Sequence, residues 1–475
     1  MRALARGTGR RRPAPYRRVS RRLVRRAVKL STDAVAHAPR RAPRPTVVAT
    51  VTALDDAGRG VVHMDGGPVP VEGALVGERV VCRPRKRRRQ GRQADLVEVL
   101  EAANDRVEPV CPHFHMCGGC RLQHMPGHGQ IAFKQQNLLR ALARHAHLEP
   151  DTVLAPLTGP STAYRRRARL GVKYVPGKGG VLVGFREKNG AKLAELGACA
   201  ILESRVGDAI QDIRTTLDKL EIRHRIPQLE VAMGDTGTAL ILRHLDPLSQ
   251  GDRDVLVEFA SARDWQLYLQ PGGPDSVHAL WPAEPPPLVY SLPEFDLKLE
   301  FLPTDFIQIN AAVNHALVRT AVDSLHVHAD SRVLDLYCGI GNFTLAVARR
   351  AASVTGVEGD AALVSRALGN ARRNHMDNVS FVCADLSRVD GKSDWWRQQW
   401  HRLLLDPPRS GASEVLNALG DRLPPRIVYV SCNPDTLARD AGLLVHGKGY
   451  RLHSVRIVDM FPHTTHCEVI AVFDR

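Results

Sequence analysis

Apolar and polar positions change rhythm several times along this chain. Between residues 46 and 103 short β-branched runs alternate with turn residues. Val47-Val48-Ala49-Thr50-Val51, Val69-Pro70-Val71, Val76-Gly77-Glu78-Arg79-Val80-Val81 and Leu96-Val97-Glu98-Val99-Leu100 read as strands, with turns at Asp55-Asp56-Ala57-Gly58 and Asp65-Gly66-Gly67. Short strands at this spacing predict a small β-barrel of the OB type. Ile131, Leu138, Leu139 and Leu142 fall at helical spacing and predict a helix over 130–147, ending before Pro150. Residues 164–172 read as a strand whose period of two places Arg165, Arg167 and Arg169 on one face. Residues 205–300 mix a helix near 205–220, strands over 229–233 and 239–242, and a Pro-rich loop over 281–287, with no evident chemistry. From about residue 328 buried strands alternate with helices, the pattern of a parallel doubly wound sheet. Its strands are expected over 332–337, 353–357, 381–385, 403–405 and 427–430, with two terminal strands near 453–459 and 468–473.

The expected architecture is therefore α/β and multidomain. An extension (1–45) precedes a barrel (46–103), a central α+β domain (104–300) and a Rossmann-like domain (301–475), in keeping with about two to four domains for 475 residues. Charge sharpens the first boundary. Residues 1–45 carry 15 Lys and Arg against the single acid Asp33, while the whole chain is +16, so the remainder is nearly neutral. An arginine-rich, disordered arm suits a polyanion such as nucleic acid, or is a solvated tail with no specific partner. The loop Arg83-Pro84-Arg85-Lys86-Arg87-Arg88-Arg89 is a second basic patch, fit for a phosphate backbone or for a soluble hairpin tip. The arginine face at 165–169 suits phosphate or base stacking, or is a solvated edge strand. No apolar run is long enough to span a membrane, and Met1-Arg2-Ala3-Leu4 has no apolar stretch behind its charges. A cytoplasmic protein is expected, with its nine cysteines free, metal-bound or catalytic.

Three of those cysteines are clustered, in Cys111-x5-Cys117-Gly118-Gly119-Cys120-Arg121-Leu122-Gln123-His124. Thiolates at this spacing can face one centre, and zinc or an iron–sulfur cluster are the candidates. Cys199 leads as fourth ligand, with His113, His115 and His124 as alternatives that would favour zinc.

The doubly wound half carries a polar group at the end of each of its first four strands. Gly339-Ile340-Gly341 allows close approach of a ligand, Glu358 can bind a ribose diol, and Asp385 can hydrogen-bond an adenine amine. Asp406 opens Asp-Pro-Pro-Arg409, where amino-group methyltransferases usually have an aromatic instead of the arginine. Four such strand ends suit S-adenosylmethionine. Ser431-Cys432-Asn433-Pro434 stops the 427–430 strand and leaves one cysteine at the ligand-binding edge. Carbon 5 of uracil is a poor nucleophile. A thiolate adding to carbon 6 makes it reactive, and a base must then remove the carbon-5 proton. Cys432 is the expected thiolate, a few per cent ionised at neutral pH if unperturbed. Glu468 is the expected base, with His463 and His466 as rivals.

These motifs resemble the bacterial RNA uracil-5 methyltransferases, over roughly residues 45–475. The resemblance rests on the C-x5-CGGC-x2-QH run, DFIQIN at 305–310, DLYCGIGNFTL at 335–345, DPPRSG at 406–411, SCNP at 431–434 and DMFPHTTHCE at 459–468. It implies a [4Fe-4S] cluster on Cys111, Cys117, Cys120 and Cys199. It places Gln308, Tyr337, Asn342, Glu358, Asp385 and Asp406 against S-adenosylmethionine or the base, with Cys432 as nucleophile and Glu468 as base. It implies further that residues 46–103 form a TRAM barrel, that a helix over about 129–160 packs on the catalytic domain, and that the substrate is one uridine of 23S rRNA. A monomer with no obligate protein partner is expected. A non-enzymatic RNA-binding factor and an iron–sulfur redox protein are the rival classes. The extension over 1–45 is not part of the resemblance.

Overall fold

The computed structural model describes residues 45–85, 91–188, 190–388, 391 and 393–475. Residues 1–44 of the basic extension and 86–89 of the basic loop lie outside the described residues. Strands β1 (Val47–Leu54), β2 (Gly60–Met64), β3 (Gly67–Val71), β4 (Arg79–Pro84) and β5 (Ala94–Glu101) close into a barrel in the order β1-β2-β3-β5-β4. Val51, Val62, Val69, Val71, Val80 and Cys82 fill its interior. β2 was hidden in the sequence because its two valines are crowded by turn residues on both sides.

Helix α1 (Gly127–Ala146) ends in a left-handed His147 with φ 52°, whose N–H bonds the Ala143 carbonyl while that of Leu148 bonds Leu142. This capping motif stops the helix. The segment 129–160 is therefore not one helix. Its second part is strand β6 (Thr152–Leu157), which pairs in parallel with a strand 300 residues later.

The central region is a six-stranded sheet of order β12-β11-β10-β9-β7-β8. Its strands are β7 (Arg167–Val175), β8 (Gly180–Gly184), β9 (Gln228–Met233), β10 (Thr238–Arg243), β11 (Gln266–Gln270) and β12 (His278–Trp281). A hairpin, β13 (Leu288–Leu292) and β14 (Leu297–Phe301), follows. Its backbone is gripped by side-chain amides of the helix Ala361–Arg373 and the residue after it: Asn370 donates to Glu300 O at 3.1 Å and Asn374 to Lys298 O at 2.8 Å.

The catalytic-half strands are β15 (Arg332–Leu336), β16 (Ser353–Glu358), β17 (Val379–Cys383), β18 (Arg402–Leu405), β19 (Arg426–Ser431), β20 (Arg451–Val458) and β21 (Glu468–Asp474). With β6 they form an eight-stranded sheet of order β17-β16-β15-β18-β19-β21-β20-β6. The first five are parallel, and the strand order reverses between β15 and β18. A ligand crevice is expected at their carboxyl ends there. β21 runs antiparallel between β19 and β20. One face of this sheet shares a continuous apolar core with the central sheet, and α1 contributes Leu138, Ala141 and Leu142 to the core on the other.

Within α1, Lys134 is fully buried, and its ammonium donates to Asp459 Oδ1 at 2.6 Å and to the Phe461 carbonyl at 3.0 Å. Removing one member of a buried pair strands the other charge, at a cost of about 3–5 kcal/mol. Lys134→Met is expected to lower the thermal midpoint, and adding Asp459→Leu to recover much of the loss. A double variant no more stable than the single would show that the pair itself is not what holds α1 down.

Candidate active site

At the carboxyl edge of the parallel strands lies a cavity of about 590 Å³, within the range of small-molecule sites. The turn after β15 forms its floor. Tyr337, Gly339 and Gly341 have φ of 64°, 54° and 94°, a region that favours glycine and that Tyr337 enters against its preference. The turn is pinned by Glu358 at the end of β16, whose Oε2 accepts the Gly339 N–H at 3.1 Å while Oε1 accepts from Gly359 at 2.7 Å. Asn342 Oδ1 accepts from the Tyr290 hydroxyl at 3.0 Å and from Asn314 at 3.1 Å, so its amide is fixed from two sides.

The chemistry gathers at one wall. In the β19–β21 ladder Ser431 faces Val469. The next step places Cys432, just past β19, beside Glu468 at the start of β21. Both line the cavity, as do Asp406, Pro407, Pro408 and Arg409 beyond β18. Burial and its coupling to Asp406 push the Glu468 carboxyl well above the carboxylate range, and burial pushes Asp406 up to about 7. The Cys432 thiol is pushed up to about 11, by burial first and then by Glu468 and Asp406, with the nearby Arg409 opposing. Burial in this pocket thus disfavours the thiolate at Cys432 relative to an unperturbed cysteine.

Five of the six expected cofactor or base contacts, Gln308, Tyr337, Asn342, Glu358 and Asp406, line this cavity. Asp385 does not. It is exposed beyond β17, its Oδ1 accepts from the Ser387 N–H at 2.9 Å and hydroxyl at 2.6 Å, and these bonds lower its pKa. Of the rival bases, His466 lines the cavity, whereas His463 does not and is tied by backbone and ring to Gln130. Sequence reasoning passed over Tyr290, which comes from a stretch that shows no chemistry. It also passed over Phe306, which lines the cavity and is 67% exposed, the most of any large apolar side chain among the described residues. Its signal was an aromatic inside the DFIQIN motif. The arginine row is partly engaged within the fold, and Arg169 remains exposed. Arg165 lies before β7 and donates to Arg167 O, Arg167 donates to Thr304 O, and Arg169 pairs with Glu230 at 3.0 Å.

A second, much smaller cavity of about 20 Å³ is lined by Cys111, Cys117, Cys120 and Cys199, and by none of His113, His115 and His124. Gly118 is required there by close approach: a Cβ would meet the Arg186 carbonyl at 2.8 Å. His113 Nε2 accepts the Gly197 N–H, and His124 packs on Phe114, with burial driving its pKa down to about 3. Burial pushes the Cys120 thiol up to about 12 and raises Cys117 and Cys199. Four thiols thus face this space, beside the Gln123 side chain, and thiols suit a soft metal centre. Among the described residues, no group of three or more His, Cys, Asp or Glu side chains is drawn together as the ligands of a metal ion would be.

A family profile described as tRNA (Uracil-5-)-methyltransferase matches residues 292–475. The 23S rRNA (uracil(1939)-C(5))-methyltransferase RlmD of Alcanivorax borkumensis is 47% identical over 428 residues, covering 90% of this chain and 96% of the relative. The RlmD of Xanthomonas campestris pv. campestris is 48% identical with the same coverage. The chain belongs to the RNA (uracil-5-)-methyltransferase family. As a member it is an S-adenosylmethionine-dependent enzyme that methylates carbon 5 of uracil in RNA. The crystal structure of the Pyrococcus abyssi tRNA (uracil-54, C5)-methyltransferase with S-adenosyl-L-homocysteine shares the fold, with a TM-score of 0.70 over 90% of this chain and 99% of that one at 23% identity. No helix among the described residues is long and apolar enough to cross a membrane.

For a uracil-5 methyltransferase the raised thiol has a measurable consequence. Only the thiolate alkylates, so in the free enzyme iodoacetamide labelling of Cys432, followed on its own peptide, is expected to rise about tenfold per pH unit from 7 to 9. A plateau below pH 8 would show that the sulfur is already ionised.

Proposed function

We propose that this enzyme methylates the uridine of 23S rRNA that corresponds to position 1939 in its relatives' names, with Cys432 as nucleophile and Glu468 as base. The substrate follows from relatives at 47% and 48% identity over 90% of the chain. The chemistry is supported by one observation above all: the β19–β21 register that sets a thiol beside a buried carboxyl in the cavity. S-adenosylmethionine supplies the methyl group and a sulfonium charge that favours ionised thiol and carboxyl groups. Glu358 is placed to hold its ribose, and Gln308, Tyr337 and Asn342 to shape the remainder of its seat. We assign Asp385 an outer contact with the adenine.

The Cys432 thiol gives up its proton to solvent, the thiolate adds to carbon 6 of the flipped uracil, and the carbon 5–carbon 6 π electrons move toward the carbon-4 oxygen. Carbon 5 of the resulting enolate takes the methyl group as the carbon–sulfonium bond breaks. Glu468 then removes the carbon-5 proton, the double bond re-forms, and the carbon 6–sulfur bond breaks to return the thiolate. Asp406 holds the pyrimidine edge. The barrel and its basic β4–β5 loop carry RNA phosphates, as a TRAM domain would. The enzyme acts as a cytoplasmic monomer without an obligate protein partner.

The four cysteines that line the small cavity are read as ligands of a [4Fe-4S] cluster. Four thiol donors suit it, and no histidine lines the cavity. Methyl transfer needs no electron, so its contribution would be to fix the residues that hold it.

Two experiments test these assignments. An RNA carrying 5-fluorouridine at the target is expected to form a stable covalent complex with the wild-type enzyme and none with Cys432→Ala, as read on a denaturing gel; an adduct with the variant would remove Cys432 from its role. Anaerobically purified protein is expected to be brown with about four irons per chain. Loss of iron on replacing Cys199 with Ser would support that ligand, and colourless protein carrying zinc would reject the cluster.

A further inference from the structure

Residues 459–467 join β20 to β21 and deliver Glu468 to the cavity. Among the described residues, the hydrogen bonds that reach this loop from outside it come from residues 121–164. The Asp459 N–H bonds the Leu157 carbonyl at 2.8 Å, and the Tyr164 hydroxyl donates to Pro462 O at 3.0 Å. His463 is the junction. Its N–H donates to Gln130 Oε1 at 2.8 Å, and its carbonyl accepts from the Arg121 N–H at 2.8 Å and the Leu122 N–H at 3.0 Å. Its ring Nδ1 lies 3.2 Å from Gln130 Nε2, which also donates to the Leu122 and Met125 carbonyls. His463 has φ 66°, a left-handed conformation that these bonds hold in place. Arg121 and Leu122 directly follow Cys120. Whatever fixes the four thiols therefore fixes two of the N–H groups that hold His463.

We propose that the cysteine-rich turn and Gln130 are the positioning device for the base: they clamp His463, and through the following residues set the Glu468 carboxyl against carbon 5. Gln130, Tyr164 and the turn are positioning residues, not catalytic ones. The inference rests on the reading of Cys432 as nucleophile and Glu468 as base. It separates the two halves of the reaction. Cys432 lies on a turn held by other bonds, from Ser431 Oγ to Asn433 O and from Asn433 and Thr436 to Arg409 O. Loosening the clamp therefore slows removal of the carbon-5 proton and release of RNA, and leaves sulfur addition and methyl transfer near their wild-type rates.

The test uses the full chain, S-adenosylmethionine and a 23S rRNA fragment carrying the target uridine, with and without deuterium at carbon 5. For Gln130→Met, release is expected to slow by on the order of tenfold to a hundredfold. The covalent complex accumulates on a denaturing gel, and the isotope effect on turnover grows. Tyr164→Phe removes one hydroxyl and changes the same quantities less, which serves if Gln130→Met does not fold. Both steps falling together, or an unchanged isotope effect, would overturn the proposal. Glu468→Gln is run beside them. If it accumulates no complex, the base assignment falls. If it does while Gln130→Met and Tyr164→Phe do not, the positioning role falls and the base assignment stands.

Discussion

The structure depends on one strand pairing. β21 enters the sheet antiparallel between β19 and β20, so its first residue meets the end of β19. Parallel strands present only their carboxyl ends at the ligand edge. An antiparallel neighbour brings an amino end to the same edge, and that is how a thiol and a carboxyl 36 positions apart in the sequence come to share a wall. A register slip of one residue would turn Glu468 to the opposite face of the sheet. The register is held by a β21 buried almost throughout, whose apolar side chains divide between the two cores.

Burial of that wall has an electrostatic result. Glu468, Asp406 and Cys432 all lie where charge is poorly solvated; Asp406 raises Glu468, and both carboxyl groups raise Cys432. Positive charge entering the pocket opposes these shifts. The sulfonium of the methyl donor carries such a charge, and Arg409 already sits at the rim.

Much of this was legible in the sequence. The doubly wound half was read almost strand for strand, because five apolar runs end in polar turns and a buried parallel strand needs little besides its own composition. Cys432, Glu358 and Asp406 were legible for the same reason, as strand ends are where function gathers. Features that depend on remote pairing were not. Nothing in residues 152–157 announces a partner 300 positions on, and Gln130 and Lys134 look like the solvated face of α1 although both are buried. The arginine row followed from its period of two, but the Glu230 carboxylate and the Thr304 carbonyl that engage it come from elsewhere. Asp385 was placed by strand order and by the family pattern; beyond the exposed end of β17 its carboxylate bonds Ser387, a contact its position in sequence did not announce.

The parallel pairing of β6 with β20 has a consequence for how the protein is made. An edge strand and an amphipathic helix emerge from the ribosome early and wait, without their partners, until the last few dozen residues have been synthesised. The catalytic sheet is thus closed by its oldest segment and its youngest. A protein cut at the start of the methyltransferase region would bare a hydrogen-bonding edge at β20 and the apolar face that α1 covers, a template for aggregation.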